Sequence, residues 1–337
     1  MTTLPRRTPS TGDPAPGLQA AQPNAERSRC TRRRFIRRLL QAVCVVAMPP
    51  LGRSGENSAP TPRYRIGVCD WMILQRQKPR AFSLAAELGA DGVEVDMGPL
   101  GTRDTFENAL ADPAFRQRFL ETAREHRLTL CSLAMSGFYA QSFAERPTVP
   151  RMIEDAIQTA VALGVRVLFL PLGVPCDLVR RPELRPVVIE RLRLAASRAE
   201  QAGVVIGVET SLPAAEEVRL LREVGSPAVR SYFNFAQATK HDRDIVAELE
   251  TLGPENLIQI HATNEDGYRL PEDPRVDLPR IRRTLDAMGW RGWLVVERSR
   301  DKNKPRDIHH NFATNIAHLK KIFGNTSPQT SPASGAL

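Results

Sequence analysis

Val204-Val205-Ile206-Gly207-Val208-Glu209 is a β-rich apolar run that closes on a carboxylate, and the second half of the chain repeats the pattern. Tyr232-Phe233 runs into Asn234, Ile258-Gln259-Ile260 into His261, and Trp293-Leu294-Val295-Val296 into Glu297. A carboxylate at the end of a Val/Ile run is costly to bury unpaired. A shared cation removes that cost if the strand ends meet. They meet in a closed parallel barrel, where every strand delivers its C-terminal end to one mouth and the chemistry sits there.

Outward from these ends the same unit recurs: a short β-rich run, a turn, then apolar residues at helical spacing. Strands are expected at 65–69, 93–96, 128–134, 165–170, 204–209, 228–233, 256–261 and 292–297. Helices are expected at 80–88, 113–126, 151–163, 185–202, 214–224, 242–252, 278–288 and 306–323. Eight strand–helix pairs across residues 63–323 match a (β/α)8 TIM barrel. An open doubly wound sheet often has a glycine-rich phosphate turn after its first strand. Cys69-Asp70-Trp71-Met72 stands there instead, and the chain holds neither GxGxxG nor a P-loop.

The net charge of +9 does not indicate a nucleic-acid partner, because of where it sits. Residues 1–53 hold ten arginines against only Asp13 and Glu26, so that segment carries +8. The remainder is close to neutral, with no basic stripe interleaved with aromatics. Residues 1–62 are expected to be a disordered leader and linker, and 324–337 a loose tail. Thr31-Arg32-Arg33-Arg34-Phe35-Ile36-Arg37 resembles a twin-arginine export signal, and Leu39 to Met48 forms a short apolar stretch behind it. That stretch is too short to span a bilayer and fits a signal h-region. The expectation is export to the periplasm, with no stable membrane span once the signal is removed. A basic amphipathic helix at a membrane is the competing reading. Of the five cysteines, Cys69, Cys131 and Cys176 fall in the mature part without zinc spacing and read as buried small hydrophobes.

Glu209 and Glu297 form the strongest pair. His261 beside them reads as a ligand, since neutral imidazole complements carboxylates around Mn²⁺, Co²⁺ or Zn²⁺. Glu94 and Asp96 alternate with Val93 and Val95, so both can face one side of the second strand, as pocket residues or as barrel-interior or rim carboxylates paired with a neighbouring basic group. Tyr139 and Gln141 lie in the loop after the third strand and are further pocket candidates. His309-His310 are adjacent, which on a helix points them about 100° apart, so they read as solvent-facing or capping.

With these motifs in order, the chain resembles the sugar phosphate isomerase/epimerase group of the xylose-isomerase-like barrel superfamily over about residues 63–323. The resemblance rests on Gly92-Val93-Glu94-Val95, Gly207-Val208-Glu209, Ile260-His261, and Trp290-Arg291-Gly292-Trp293 followed by Val295-Val296-Glu297-Arg298. It implies a divalent metal (Mn²⁺, Co²⁺, Mg²⁺ or Zn²⁺) at Glu209, Asn234, His261 and Glu297. It also implies that Glu209 and Glu297 exchange a proton with a substrate carbon next to a carbonyl. Glu94, Gln141 and Gln237 are then substrate contacts, and the substrate is a sugar or polyol. The family has an aspartate where Asn234 stands and His or Asn at the place of Gln237, and Thr263-Asn264 replace its usual lysine–aspartate pair. Asn234 removes one negative charge from the site. Two other readings therefore stay open: a sugar-binding barrel with a degenerate metal site, and a polyol dehydratase. A DNA-repair endonuclease needs a histidine-rich zinc cluster, and only His261 sits at a clear strand end. A homo-oligomer is left open.

Overall fold

The computed structural model describes residues 62–324. The arginine-rich leader with its proposed export signal and most of the C-terminal tail lie outside these residues. The first four strands are β1 (Tyr64–Cys69), β2 (Gly92–Asp96), β3 (Thr129–Ala134) and β4 (Val167–Pro171). The second four are β5 (Val205–Glu209), β6 (Val229–Asn234), β7 (Leu257–His261) and β8 (Gly292–Val296). All neighbouring pairs are parallel, and β8 pairs back with β1 to close an eight-stranded barrel.

Helices α1 (Arg80–Glu87), α2 (Pro113–Glu125), α3 (Val149–Leu163) and α4 (Arg185–Ala202) follow the first four strands. Helix α5 (Ala214–Val224) follows β5, and α8 (Leu278–Ala287) follows β7. After β6 come two helices, a short α6 (Phe235–Thr239) and α7 (Ile245–Leu252); α9 (Thr314–Phe323) closes the described chain. Sequence spacing anticipated α7 but not α6. That single turn carries too few residues to show a period, and it begins where the Asn234 side chain accepts from the Ala236 amide.

Helix α3 shows how the shell is built. Met152, Ile153, Ala156, Ile157, Ala160 and Leu163 are buried along one face, the spacing of an amphipathic helix lying on a sheet. It stops at Gly164, whose φ of +69° is the left-handed conformation that a side chain disfavours. Among the described residues no helix is long and apolar enough to cross a membrane.

One buried carboxyl in this shell predicts a pH dependence of stability. Glu217 on α5 is 6% exposed, and burial pushes its pKa from 4.5 up to about 7 although Thr210 Oγ1 donates to it at 2.6 Å. A raised acid pKa means the folded state binds this proton more tightly than the unfolded chain does. Its favourable contribution is complete below pH 4.5 and is lost as pH rises to about 7. Glu217→Gln is expected to remove roughly 3 kcal/mol of that pH-dependent loss. Urea unfolding at pH 4.5 and pH 8 checks this; parallel stability changes in the two proteins would refute it.

Candidate active site

The strand ends do converge. Asn234 and His261 are register partners on β6 and β7, and His261 pairs in turn with Val295, two residues before Glu297. Glu209 closes β5 beside them. The ligand atoms of Glu209, His261 and Glu297 lie within 4.8 Å of one another, and all three side chains are buried.

Two neutral donors tie the glutamates together. Asn234 Nδ2 donates to Glu209 Oε2 at 2.9 Å and to Glu297 Oε2 at 3.2 Å. The Tyr139 hydroxyl lies 2.9 Å from Glu297 Oε1 and 3.3 Å from Glu209 Oε2. Gln237 Nε2 adds a bond of 2.9 Å to Glu209 Oε1. Tyr139 reaches the site because Gly173 packs against its backbone: a Cβ on Gly173 would stand 2.4 Å from the Tyr139 Cα.

These contacts split the two carboxylates. Burial opposes the charge on Glu209, but the bond and field of His261, with Asn234 and Gln237, bring its pKa below the usual value. Glu297 moves the other way: burial raises it, and repulsion from Glu209 adds to that against the pull of His261. Burial works against a charged His261, yet Glu297, Glu94 and Glu209 overcome it and push its pKa up to about 10. The result is an ionised Glu209 facing a Glu297 that holds a proton more readily, the kind of divergence that separates a base from an acid.

The sequence candidates do not all reach this place. Gln237 lines the cavity, as do Tyr139, Glu209, Asn234 and Glu297. Glu94 does not: it lies fully buried in the barrel interior, with Oε1 2.8 Å from His261 Nε2. Gln141 is turned away as well and accepts from Arg146 Nη1 at 3.0 Å. Neither Glu94 nor Gln141, expected as substrate contacts, is in the cavity lining: β2 places Glu94 in the barrel interior, and Arg146 bonds Gln141 within its own loop. Asp96, on the same face as Glu94, accepts from the Ser136 amide and pairs with Arg76 at 2.9 Å. His310 pairs with Asp301, away from the cavity.

Asn234 also differs from its expected part. Its Oδ1 caps α6 and its Nδ2 faces the carboxylates, so it clamps the glutamates and presents no oxygen to an ion. The other three residues fit a divalent cation. His261 Nδ1 stands 3.4 Å from Glu209 Oε2 and 3.6 Å from Glu297 Oε2. Ligand atoms around an ion at about 2.1 Å are themselves about 3–3.5 Å apart. Two carboxylate oxygens and one imidazole nitrogen suit Mn²⁺, Co²⁺ or Zn²⁺.

The cavity above this floor measures about 460 Å³. Trp71, Met72, Leu172 and Val174 give it an apolar wall, and Arg180, Lys240 and Arg298 lie on its lining. Among the described residues, the Lys240 ammonium and the Arg298 guanidinium have no hydrogen-bond or ion-pair partner, unlike Arg76, which is committed to Asp96. Sequence patterning gave no signal for these two cations, since loop lysines and arginines are ordinarily solvated.

The barrel fold agrees with what the chain is similar to. A 2-epi-5-epi-valiolone 7-phosphate 2-epimerase from Actinoplanes sp. is 30% identical over 208 residues, covering 58% of this chain and 71% of that enzyme. A D-psicose 3-epimerase from Clostridium cellulolyticum H10 superposes with a TM-score of 0.62 at 16% identity, over 77% of this chain and 99% of that one. A 3-keto-D-glucoside 4-epimerase from E. coli gives 0.59 at 17% identity, over 77% and 99%. At those identities the two structures show a shared fold. The xylose isomerase-like TIM barrel model matches residues 82–322, nearly the whole barrel, and the chain belongs to that family.

Proposed function

We propose that this protein is a metal-dependent epimerase or isomerase that moves a proton at a carbon next to a carbonyl of a sugar or polyol. The observation that carries this reading is the pair of buried glutamates held together across the cavity floor by Tyr139 and Asn234, with His261 beside both. The epimerase relatives support the same chemistry.

Glu209, the ionised partner, takes the proton from the substrate carbon, and the C–H electron pair passes into the adjacent carbonyl. Glu297, the carboxylate whose proton affinity burial and Glu209 raise, returns a proton to the opposite face of that carbon or to its neighbour. Glu209 then leaves the turnover protonated and Glu297 ionised, so the next turnover runs in reverse or the pair resets by exchange with water. Tyr139 and Gln237 hold the carboxylates in position while their charges swap. A divalent ion held by Glu209, His261 and Glu297 would supply positive charge to the oxygen on which negative charge develops. The free cations at the rim favour a substrate that also bears an anionic group, in keeping with the phosphate in the Actinoplanes enzyme's name.

The test is incorporation of solvent deuterium. Metal-loaded protein, incubated in D2O with ketoses, keto-polyols and their phosphates, is expected to place deuterium at one carbon of at least one compound and to form its epimer or isomer. Binding of a sugar with no incorporation across the panel would replace this reading with the sugar-binding one. Loss of water from a polyol would replace it with the dehydratase.

A further inference from the structure

Beneath the cavity floor lies a second polar layer tied together by hydrogen bonds. Cys69, Glu94 and Ser132 are register partners on β1, β2 and β3, and Tyr232 and Gln259 are register partners on β6 and β7. All five side chains are buried in the barrel interior. Gln259 Nε2 lies 2.8 Å from Ser132 Oγ and 2.9 Å from the Tyr232 hydroxyl. Both hydroxyls lie 2.6 Å from Glu94 Oε2. Glu94 Oε1 meets the Cys69 thiol at 3.3 Å and His261 Nε2 at 2.8 Å.

The direction follows from donor counts. An amide NH2 only donates, so the two hydroxyls must accept from Gln259 and turn their own protons towards Glu94. A carboxylate offers about four lone-pair sites, and these two hydroxyls, the thiol and the imidazole fill them. Glu94 is thus an acceptor throughout, and the proton between it and His261 sits on Nε2. With Nε2–H anchored below, only Nδ1 faces Glu209 and Glu297.

We propose that the relay from Gln259 through Ser132 and Tyr232 to Glu94 is a positioning device that fixes His261 with Nε2 protonated and Nδ1 presented to a metal ion. Its benefit to the ion rests on the metal-dependent reading above; its hydrogen-bond direction does not. A carboxylate behind a ligating imidazole orients the ring and raises its basicity, and losing such a partner weakens metal affinity roughly 10–100-fold. The device also accounts for a charged residue in the barrel interior, where a Val or Leu would otherwise pack. Glu94 accordingly serves as an anion that acts through His261.

The experiment uses the full chain with ¹⁵N-labelled histidine, together with Co²⁺ titration. In metal-free wild-type protein, the His261 Nε2 proton is expected as a low-field resonance. Glu94→Gln keeps the shape, removes the charge, and is expected to shift that resonance upfield and weaken Co²⁺ binding roughly 10–100-fold. Tyr232→Phe removes one donor to Glu94 and is expected to weaken Co²⁺ binding roughly three- to tenfold. The double variant should bind no worse than Glu94→Gln alone, because both act through the same carboxylate.

A merely structural role predicts a lower melting temperature for metal-free Glu94→Gln with unchanged Co²⁺ affinity per folded molecule, and that result overturns the proposal. An unshifted Nε2 resonance or additive losses overturn it too. Should Glu94→Gln not fold, Tyr232→Phe decides on both readouts. If the wild type binds no Co²⁺ at all, the metal-dependent reading fails, while the imidazole resonance still supports or refutes the relay.

Discussion

Glu209→Gln is expected to abolish both epimerisation and solvent exchange for the substrate epimer whose proton faces Glu209, whereas Glu297→Gln should abolish epimerisation and keep the exchange. The asymmetry follows from the split between the two carboxylates. Glu209 is held ionised by His261, Asn234 and Gln237, so it remains a base when its partner is replaced. Glu297 is raised by burial and by Glu209, so its loss removes the acid that delivers a proton to the other face. Removing a positioned acid or base costs roughly 10²–10⁴-fold in rate. Starting from the opposite epimer, the two variants should exchange their phenotypes. Deuterium content and epimer ratio, measured in protein of verified metal content, check both halves. Loss of exchange in both variants with both epimers would mean that the glutamates do not divide the roles of base and acid.

Asn234→Asp is expected to tighten divalent metal binding by at least about tenfold. Two charges 4 Å apart at an effective dielectric of about 20 interact by about 4 kcal/mol, so a tenfold gain is a conservative share of the added attraction. One oxygen of the aspartate can keep the cap on the Ala236 amide, and the other replaces the Nδ2 that now clamps Glu209 and Glu297. The same change should lower the melting temperature of the metal-free protein, since a third carboxylate then faces two others without the amide that satisfied them. Unchanged affinity together with an unchanged metal-free melting temperature would place the ion elsewhere. Binding to the wild type should also release about one proton near neutral pH, because Nδ1 of a His261 with a pKa of about 10 must give up its proton to the ion. Calorimetry in buffers of different ionisation enthalpy measures that number.

The barrel was legible in the sequence because its signals are local. Val/Ile runs, helical spacing and glycines such as Gly164 mark each element without reference to any other, and eight repeats in this length allow few other closed arrangements. Three residues of the candidate site, Glu209, His261 and Glu297, were legible for a related reason: a carboxylate or imidazole at the end of an apolar run is costly enough to stand out. The orientation of Asn234 was not legible, because it depends on a cap formed by a five-residue helix that has no period of its own. Tyr139 stood out only as a loop candidate until Gly173 and β4 brought it against both glutamates.

Glu94 shows where sequence reading ends. Its residue type and alternation put it on an inward face, but depth along the barrel axis is set by strand register and stagger, which no single strand encodes. Register carried it below the mouth, against His261 Nε2, and lined up Ser132, Tyr232 and Gln259 behind it from strands far apart in the chain. Each of those three reads in sequence as an ordinary strand residue. The sequence by itself determined which elements form and which costly side chains end them. Only closure of the barrel decided which of those side chains line the cavity and which face one another, because a hydrogen bond between β2 and β7 exists only once every strand between them has found its place.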